Sequence, residues 1–123
     1  MVKSASTPRI AASLVFALAA TQARAHAQPQ KATPPVGGTV ASATEIRLEF
    51  SETVEPRFSG VMLRATGGAG VAVGPSRIEA GNASILVVPI AKPLAPGMYS
   101  VHWHAVSTDT HHTQGDFQFT VKP

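Results

Sequence analysis

The chain has 123 residues, enough for one small domain with one core, and it has no cysteine, which excludes disulfides and thiolate metal sites. Ten Lys and Arg stand against seven Asp and Glu, but Lys3, Arg9 and Arg24 account for the whole excess of base. Residues 26–123 therefore have balanced charges, which gives no reason to expect binding to nucleic acid or to an acidic membrane.

The first 25 residues have the layout of a secretory signal peptide. A basic start is followed by an apolar run at residues 10–20 and by Ala23-Arg24-Ala25, a small-x-small cleavage pattern. The apolar run is too short to cross a bilayer as a helix, although an uncleaved N-terminal anchor is the alternative interpretation. We expect residues 1–25 to be removed during export and residues 26–123 to form the mature domain, with His26 as its first residue.

The remaining sequence predicts an all-β sandwich. Short alternating runs are separated by clusters of Gly, Pro, Ser and Asn, and helix signals are nearly absent. Strands or extended segments are predicted at residues 26–33, 45–51, 60–65, 71–73, 77–80, 84–89, 99–105 and 117–121, with turns at residues 34–38, 66–70 and 93–97.

The predicted strand at residues 99–105 has one apolar face and one histidine face. Tyr99, Val101, Trp103 and Ala105 lie on the first face, and Ser100, His102 and His104 on the second. The alternating Phe117, Phe119 and Val121 of the next strand match the first face, so we expect both apolar faces in the core. The polar residues 106–115 between the two strands are predicted to form a turn.

His26 offers the clearest metal chemistry. In a chain that begins there, the α-amine and the ring Nδ1 can bind one ion together, which an internal histidine cannot do because its backbone nitrogen is an amide. The amine is less basic than lysine, so a metal can displace its proton near neutral pH. Imidazole, amine and carboxylate donors in a tetragonal plane suit Cu(II). The alternative is that His26 is an accident of the cleavage position.

The other four histidines form two pairs, His102/His104 and His111/His112. Asp109 lies two residues before His111, and an extended backbone would point both side chains the same way. The two could bind one ion, Asp109 could orient His111, or Asp109 could cap amides of an ordinary polar turn. His102 and His104 fit a solvated strand face, with a contribution to the copper site or a weak second site as the alternative. His112 is expected to point elsewhere.

Other chemistry has little support in the sequence. Met62 and Met98 are isolated, and we predict that they pack in the structure, since a cluster of thioethers is the arrangement that Cu(I) favours. The sequence contains no G-x-S-x-G, no H-E-x-x-H and no glycine-rich phosphate loop. Hydrolase and nucleotide-binding functions are therefore disfavoured.

Several motifs, taken in order, resemble those of the CopC family of periplasmic copper-binding proteins. The resemblance covers essentially all of residues 26–123 and includes a histidine at the expected mature N-terminus. The matching segments are T-P-P-V-G-G at residues 33–38, L-E-F-S-E at 48–52, L-A-P-G-M-Y-S-V-H-W at 94–103, V-S-T-D-T-H at 106–111 and G-D-F-Q-F at 115–119.

The resemblance implies a Greek-key, immunoglobulin-like (cupredoxin-like) sandwich of seven to nine strands. It also implies that one Cu(II) per chain is bound by the amine and ring of His26, by Asp109 and by His111, with Glu52 nearby as a weak extra ligand or a residue that orients the others. The implied function is to carry or sequester copper in the periplasm as a monomer, often with a CopD-type inner-membrane transporter as partner.

The sequence also departs from the family pattern. Some family members carry a methionine-rich Cu(I) loop, but residues 64–77 contain no methionine, so that site is expected to be absent. His104 stands where the family has arginine after the tryptophan, and His112 where proline often follows the D-x-H motif.

Two other functions remain as alternatives. A copper-dependent oxidative enzyme is the first, because polysaccharide-cleaving monooxygenases also bind copper through an N-terminal histidine. Such enzymes keep positions open for oxygen, whereas Asp109 would fill one here, so we expect no catalysis. The second is a structural sandwich module with an incidental histidine.

Overall fold

The structure, a computed structural model, describes Ser4 and residues 29–123. Within residues 29–123 it contains nine strands, one short 3-10 helix at Pro56–Phe58 and no α-helix. The strands are β1 (Pro29–Thr33), β2 (Thr39–Val40), β3 (Glu45–Phe50), β4 (Gly60–Ala65), β5 (Gly70–Val71), β6 (Arg77–Glu79), β7 (Asn82–Pro89), β8 (Gly97–Val106) and β9 (His112–Val121). They form two sheets, in the orders β1-β3-β7-β6 and β2-β9-β8-β4-β5, so the predicted all-β sandwich is confirmed.

The chain crosses between the sheets after β1, β2, β3, β5 and β7. The strand pairs are antiparallel except for β2, which runs parallel to β9. The core lies between the facing sheets and follows the predicted alternation. Its members include Ile46, Leu48 and Phe50 of β3, Tyr99, Val101, Trp103 and Ala105 of β8, and Phe117, Phe119 and Val121 of β9.

Trp103 of β8 connects the two sheets within this core. Its ring meets Phe50 edge to face, with centroids 5.5 Å apart. On its own sheet it lies opposite Gly115, where an added Cβ would come within 2.6 Å of Cζ2 of the indole. Position 115 therefore needs glycine because the tryptophan ring occupies the space that a side chain would take.

The connection between β8 and β9 is shorter than predicted. The expected turn over residues 106–115 is wrong in length, because β8 extends to Val106 and β9 begins at His112. The ladder runs without a break from Gly97↔Val121 to Val106↔His112. The ladder is formed by backbone hydrogen bonds, which do not depend on whether the side chains are polar or apolar. The polar residues at the start of β9 were therefore predicted as a turn although they form a strand. Only residues 107–111 remain as a loop.

The first extended segment, predicted at residues 26–33, is observed as β1 over Pro29–Thr33, and residues 26–28 lie outside the described part of the chain. The prediction for the two methionines is wrong. Met62 and Met98, predicted to pack, are 53% and 46% exposed. Met62 occupies an outward position, since its neighbours in β4, Val61 and Leu63, take the inward ones. Met98 is likewise exposed, next to the buried Tyr99 of β8.

No helix within the described residues is both long enough and apolar enough to span a membrane. The apolar run at residues 10–20, interpreted above as part of a signal peptide, lies outside the described residues.

Candidate metal centre

The loop at residues 107–111 is tied to the rest of the sandwich by backbone contacts. Ser107 forms a bridge with Val54, and Thr108 N–H donates to the carbonyl of Thr53 over 3.1 Å. Across the loop, Ser107 N–H donates to the carbonyl of His111 and Thr110 N–H to that of Ser107, over 3.0 and 2.9 Å. These bonds fix the backbone that carries the predicted ligands Asp109 and His111.

Asp109 is held by its neighbours through both carboxylate oxygens. The Ser107 hydroxyl donates to Oδ1, and His111 N–H approaches the same oxygen at 3.4 Å. Oδ2 lies 2.8 Å from Nδ1 of His111. The Ser107 hydroxyl first, and then the His111 imidazole, lower the pKa of Asp109 from 3.8 to about 2. The side chain is therefore a carboxylate anion throughout the neutral pH range, which is the form that binds metals.

The backbone between Asp109 and His111 is not extended. Thr110 has a φ of 73°, in the left-handed region that β-branched residues rarely adopt. The extended geometry assumed from the spacing is therefore wrong, although the two side chains do meet. The tight turn brings them together and lets Asp109 contact the backbone N–H of His111 as well as its ring.

The start of β1 lies at the same end of the sandwich as this loop. Pro29 pairs with Phe50 at the end of β3, and the chain then reaches Thr53, which accepts the hydrogen bond from Thr108. His26 itself lies outside the described residues. It precedes Pro29 by three residues, a segment that spans at most about 10 Å when extended.

The other residues considered near this site occupy different positions. Glu52 is half-buried in the segment between β3 and Thr53, on the loop's side of the sandwich. His112 is exposed at the first position of β9, opposite Val106, and lines a surface depression with Phe58, whose ring is 61% exposed.

His102 and His104 lie on the outer face of the β2-β9-β8-β4-β5 sheet, as predicted from the alternation. Nδ1 of His102 is 2.8 Å from Oδ1 of Asp116, its direct partner on β9. His104 is exposed and lies over Gly60 of β4. The structure therefore separates this pair from Asp109 and His111 by the last residues of β8.

Sequence reasoning missed two residues that shape these groups. Ser107 was part of the V-S-T-D-T-H segment but was given no role, yet it is 1% exposed and donates to Asp109. The usable signal in the sequence was a serine two residues before an aspartate, because short polar side chains at that spacing form local hydrogen bonds. Asp116 could be assigned to His102 only once the register of β8 and β9 was known.

Within residues 29–123, no three His, Asp or Glu side chains are grouped so that they could hold one metal ion. Asp109 and His111 supply two donors of the types that Cu(II) accepts, a carboxylate and an imidazole.

Comparison with known proteins places the chain in one family. Copper resistance protein C of Pseudomonas syringae pv. tomato is 36% identical over 110 residues, which cover 85% of this chain and 87% of that protein. Protein YobA of Escherichia coli K12 is 36% identical over 124 residues, 99% of this chain and all of that one. The crystal structure of PcoC, a methionine-rich copper resistance protein from Escherichia coli, superposes with a TM-score of 0.73 at 35% identity. It covers 80% of this chain and 100% of PcoC.

The family model agrees with these relatives. The CopC domain matches residues 29–122, which is nearly the whole described part of the chain. The protein therefore belongs to the CopC family, a family of copper resistance proteins.

Proposed function

We propose that this protein binds one Cu(II) per chain in the periplasm and carries or sequesters it, after removal of residues 1–25 exposes the amine of His26. The ligands are the α-amine and imidazole of His26, the carboxylate of Asp109 and the imidazole of His111. The arrangement of Asp109 and His111 around Ser107, at the end of the sandwich where β1 begins, is the observation that carries the proposal.

The donor set suits Cu(II) better than other divalent ions. Two imidazoles, an amine and a carboxylate provide nitrogen and oxygen donors, which suit the tetragonal plane that Cu(II) prefers. Cu(II) also binds such donors more tightly than other first-row divalent ions do. Asp109 is ionised at neutral pH, and its hydrogen bonds lower its pKa further to about 2, so no proton has to leave it when copper enters. Its negative charge also offsets part of the charge of the ion.

Asp109 and His111 face each other through the atoms that can bind one ion together. Oδ2 and Nδ1 lie 2.8 Å apart, whereas an ion on the opposite ring nitrogen, Nε2, would be out of reach of the carboxylate. Oδ2 and Nδ1 are therefore the donor atoms assigned to copper, with the ion taking the place of the hydrogen between them. Without copper, this hydrogen bond holds the two donors side by side.

Storage or transfer is favoured over catalysis by the same donor set. A catalytic metal needs an open position for substrate or oxygen, and a carboxylate in the plane takes one. Copper-loaded protein with a reductant should consume no oxygen beyond the background of free copper. Consumption that depends on an added polysaccharide would instead support a monooxygenase. We propose a monomeric carrier with a CopD-type inner-membrane transporter as its partner, on the strength of the family resemblance.

A matched pair of variants on one hairpin tests the ligand assignment. His111→Gln should lower Cu(II) affinity by more than about tenfold, since even residues that merely orient a ligand contribute about 10–100-fold. His112→Gln, one residue along, should leave affinity unchanged. Electron paramagnetic resonance of the wild-type complex should show three nitrogen ligands, and His111→Gln should remove one. Equal effects of the two variants would contradict the assignment.

A further inference from the structure

The outer face of the β2-β9-β8-β4-β5 sheet carries a second group of metal-binding side chains. The register aligns Met62 of β4, His102 of β8 and Asp116 of β9 in one cross-strand row. In the next row His104 stands between Gly60 and Gln114. Directly paired residues have Cβ atoms about 5 Å apart, and neighbours on one face of a strand are about 7 Å apart. Met62, His102 and His104 are therefore mutual neighbours on one face.

His102 is oriented by its partner on β9. Nδ1 lies 2.8 Å from Oδ1 of Asp116, so this nitrogen donates its hydrogen to the carboxylate. Nε2 then carries the lone pair and is the nitrogen able to bind a metal. A carboxylate that binds one nitrogen of a histidine in this way is the usual companion of a metal-ligating imidazole.

His104 is directed over β4 by the absence of a side chain at Gly60. A Cβ at position 60 would lie 3.2 Å from Cε1 and 3.6 Å from Nε2 of His104. The ring therefore leans across β4, the strand that carries Met62 two residues further on. The side chain of His104 has no hydrogen-bond partner among residues 29–123, so neither ring nitrogen is committed within that part of the chain.

Met62 supplies a solvent-exposed thioether. Its side chain is 53% exposed, although the residues on either side of it, Val61 and Leu63, are buried in the core. A methionine on a solvated face contributes little to core packing, but its sulfur is available to a soft metal. This thioether was not among the His, Asp and Glu side chains considered above as metal ligands.

We propose that the imidazoles of His102 and His104 and the thioether of Met62 form a three-donor Cu(I) site on this sheet face. A thioether selects Cu(I) over harder ions, and imidazole is a good copper ligand in either oxidation state. Arg64, the nearest cation along β4, pairs with Ser100, one row beyond Met62 and away from His104.

This site is distinct from the one that contains Asp109 and His111. Three residue steps of extended chain separate His104, the member of the site nearest the loop, from Ser107, about 10 Å along β8. It also needs no free amine. Protein that retains residues 21–25, in which the α-amine is displaced from His26, should therefore bind Cu(I) as well as the processed protein does. The two proposals can thus fail independently.

Anaerobic Cu(I) titration against a coloured competing chelator tests the proposal in the protein that retains residues 21–25. Met62→Leu, His102→Gln and His104→Gln should each weaken Cu(I) binding by about tenfold or more. The controls are Met98→Leu, which alters an exposed methionine on β8, and His112→Gln, which alters an exposed histidine on β9. Both controls should bind as the wild type does.

X-ray absorption at the copper edge should then show one sulfur and two nitrogen neighbours, with the sulfur lost in Met62→Leu. Asp109→Asn combined with His111→Gln should leave the spectrum unchanged. Either a copper environment without sulfur, or Cu(I) binding that survives the three site variants and disappears with Asp109 and His111, would overturn the proposal. Thermal unfolding of each variant confirms that the sandwich is intact.

Discussion

Gly115→Ala should destabilise the sandwich. Among the glycines that lie in strands and have ordinary strand backbone angles, Gly115 is the one whose replacement by alanine should cost most. The new Cβ would lie 2.6 Å from Cζ2, 2.8 Å from Cε2 and 2.9 Å from Nε1 of Trp103. All three atoms belong to one rigid ring, which is 5% exposed and packed edge to face on Phe50, so the ring cannot move aside without disturbing the core.

The expected loss follows from two opposing effects. Forcing extra volume into a well-packed core costs about 1–3 kcal/mol, and contacts this short belong at the upper end. Replacing a strand glycine by alanine returns about 0.5–1 kcal/mol of backbone entropy. The net change in the free energy of unfolding is a loss of about 2 kcal/mol, or about 8–16 °C in Tm for a domain of this size.

Urea unfolding followed by tryptophan fluorescence measures this change directly, because Trp103 is the single tryptophan of the chain. Gly70→Ala is the matched control, since Gly70 also lies in a strand and nothing is within 4 Å of its Cβ position. It should be neutral or slightly stabilising. Trp103→Phe, which removes the clashing atoms, should reduce the cost of Gly115→Ala in the double variant, whose unfolding is followed by circular dichroism because it contains no tryptophan. Equal stabilities of Gly115→Ala and Gly70→Ala would refute the packing argument.

Two further predictions concern the loop at residues 107–111. Ser107→Ala should raise the pKa of Asp109 from about 2 towards its ordinary value of 3.8, as measured by carboxyl NMR titration; an unchanged pKa would contradict the role given to Ser107. Because the folded pKa is the lower one, the stability that the Asp109 carboxylate contributes is fully present above pH 3.8 and is lost as the pH falls through about 2, so wild type and Asp109→Asn should converge in acid. Thr110→Gly should stabilise the apo protein by about 0.5–1 kcal/mol in urea unfolding. A threonine in the left-handed region costs about 1–2 kcal/mol, which glycine avoids, but the greater conformational entropy that glycine loses on folding cancels part of this gain. Thr110→Ala keeps the left-handed penalty and should not share the gain.

The sequence predicted the inward and outward faces of the long strands well. In β8 strict alternation placed Trp103 in the core and His102 outside, because burial and pleat have the same period of two. The prediction from the sequence failed where backbone pairing alone decides whether a segment is a strand. The polar residues 112–116 of β9 pair with β8 through main-chain bonds that side-chain character does not reveal.

The contact between Asp109 and His111 was predicted, but its geometry was not. Asp109 and His111 were expected to meet on extended backbone, yet they meet through a tight turn with Thr110 in the left-handed region. A threonine gives no warning of that conformation. The exposure of Met62 could have been inferred, since it alternates with Val61 and Leu63, but an isolated methionine was taken for a packing residue.

Cu(II) titration of two forms of the protein tests the central claim most directly. One form begins at His26, and the other retains residues 21–25, so that the backbone nitrogen of His26 is an amide while every other residue of the domain is the same. The first should bind one Cu(II) per chain more than about a hundredfold more tightly, because the amine that completes the chelate is lost in the second, and loss of a residue that only orients a ligand already costs about 10–100-fold. Equal Cu(II) affinity in the two forms would contradict the proposed centre.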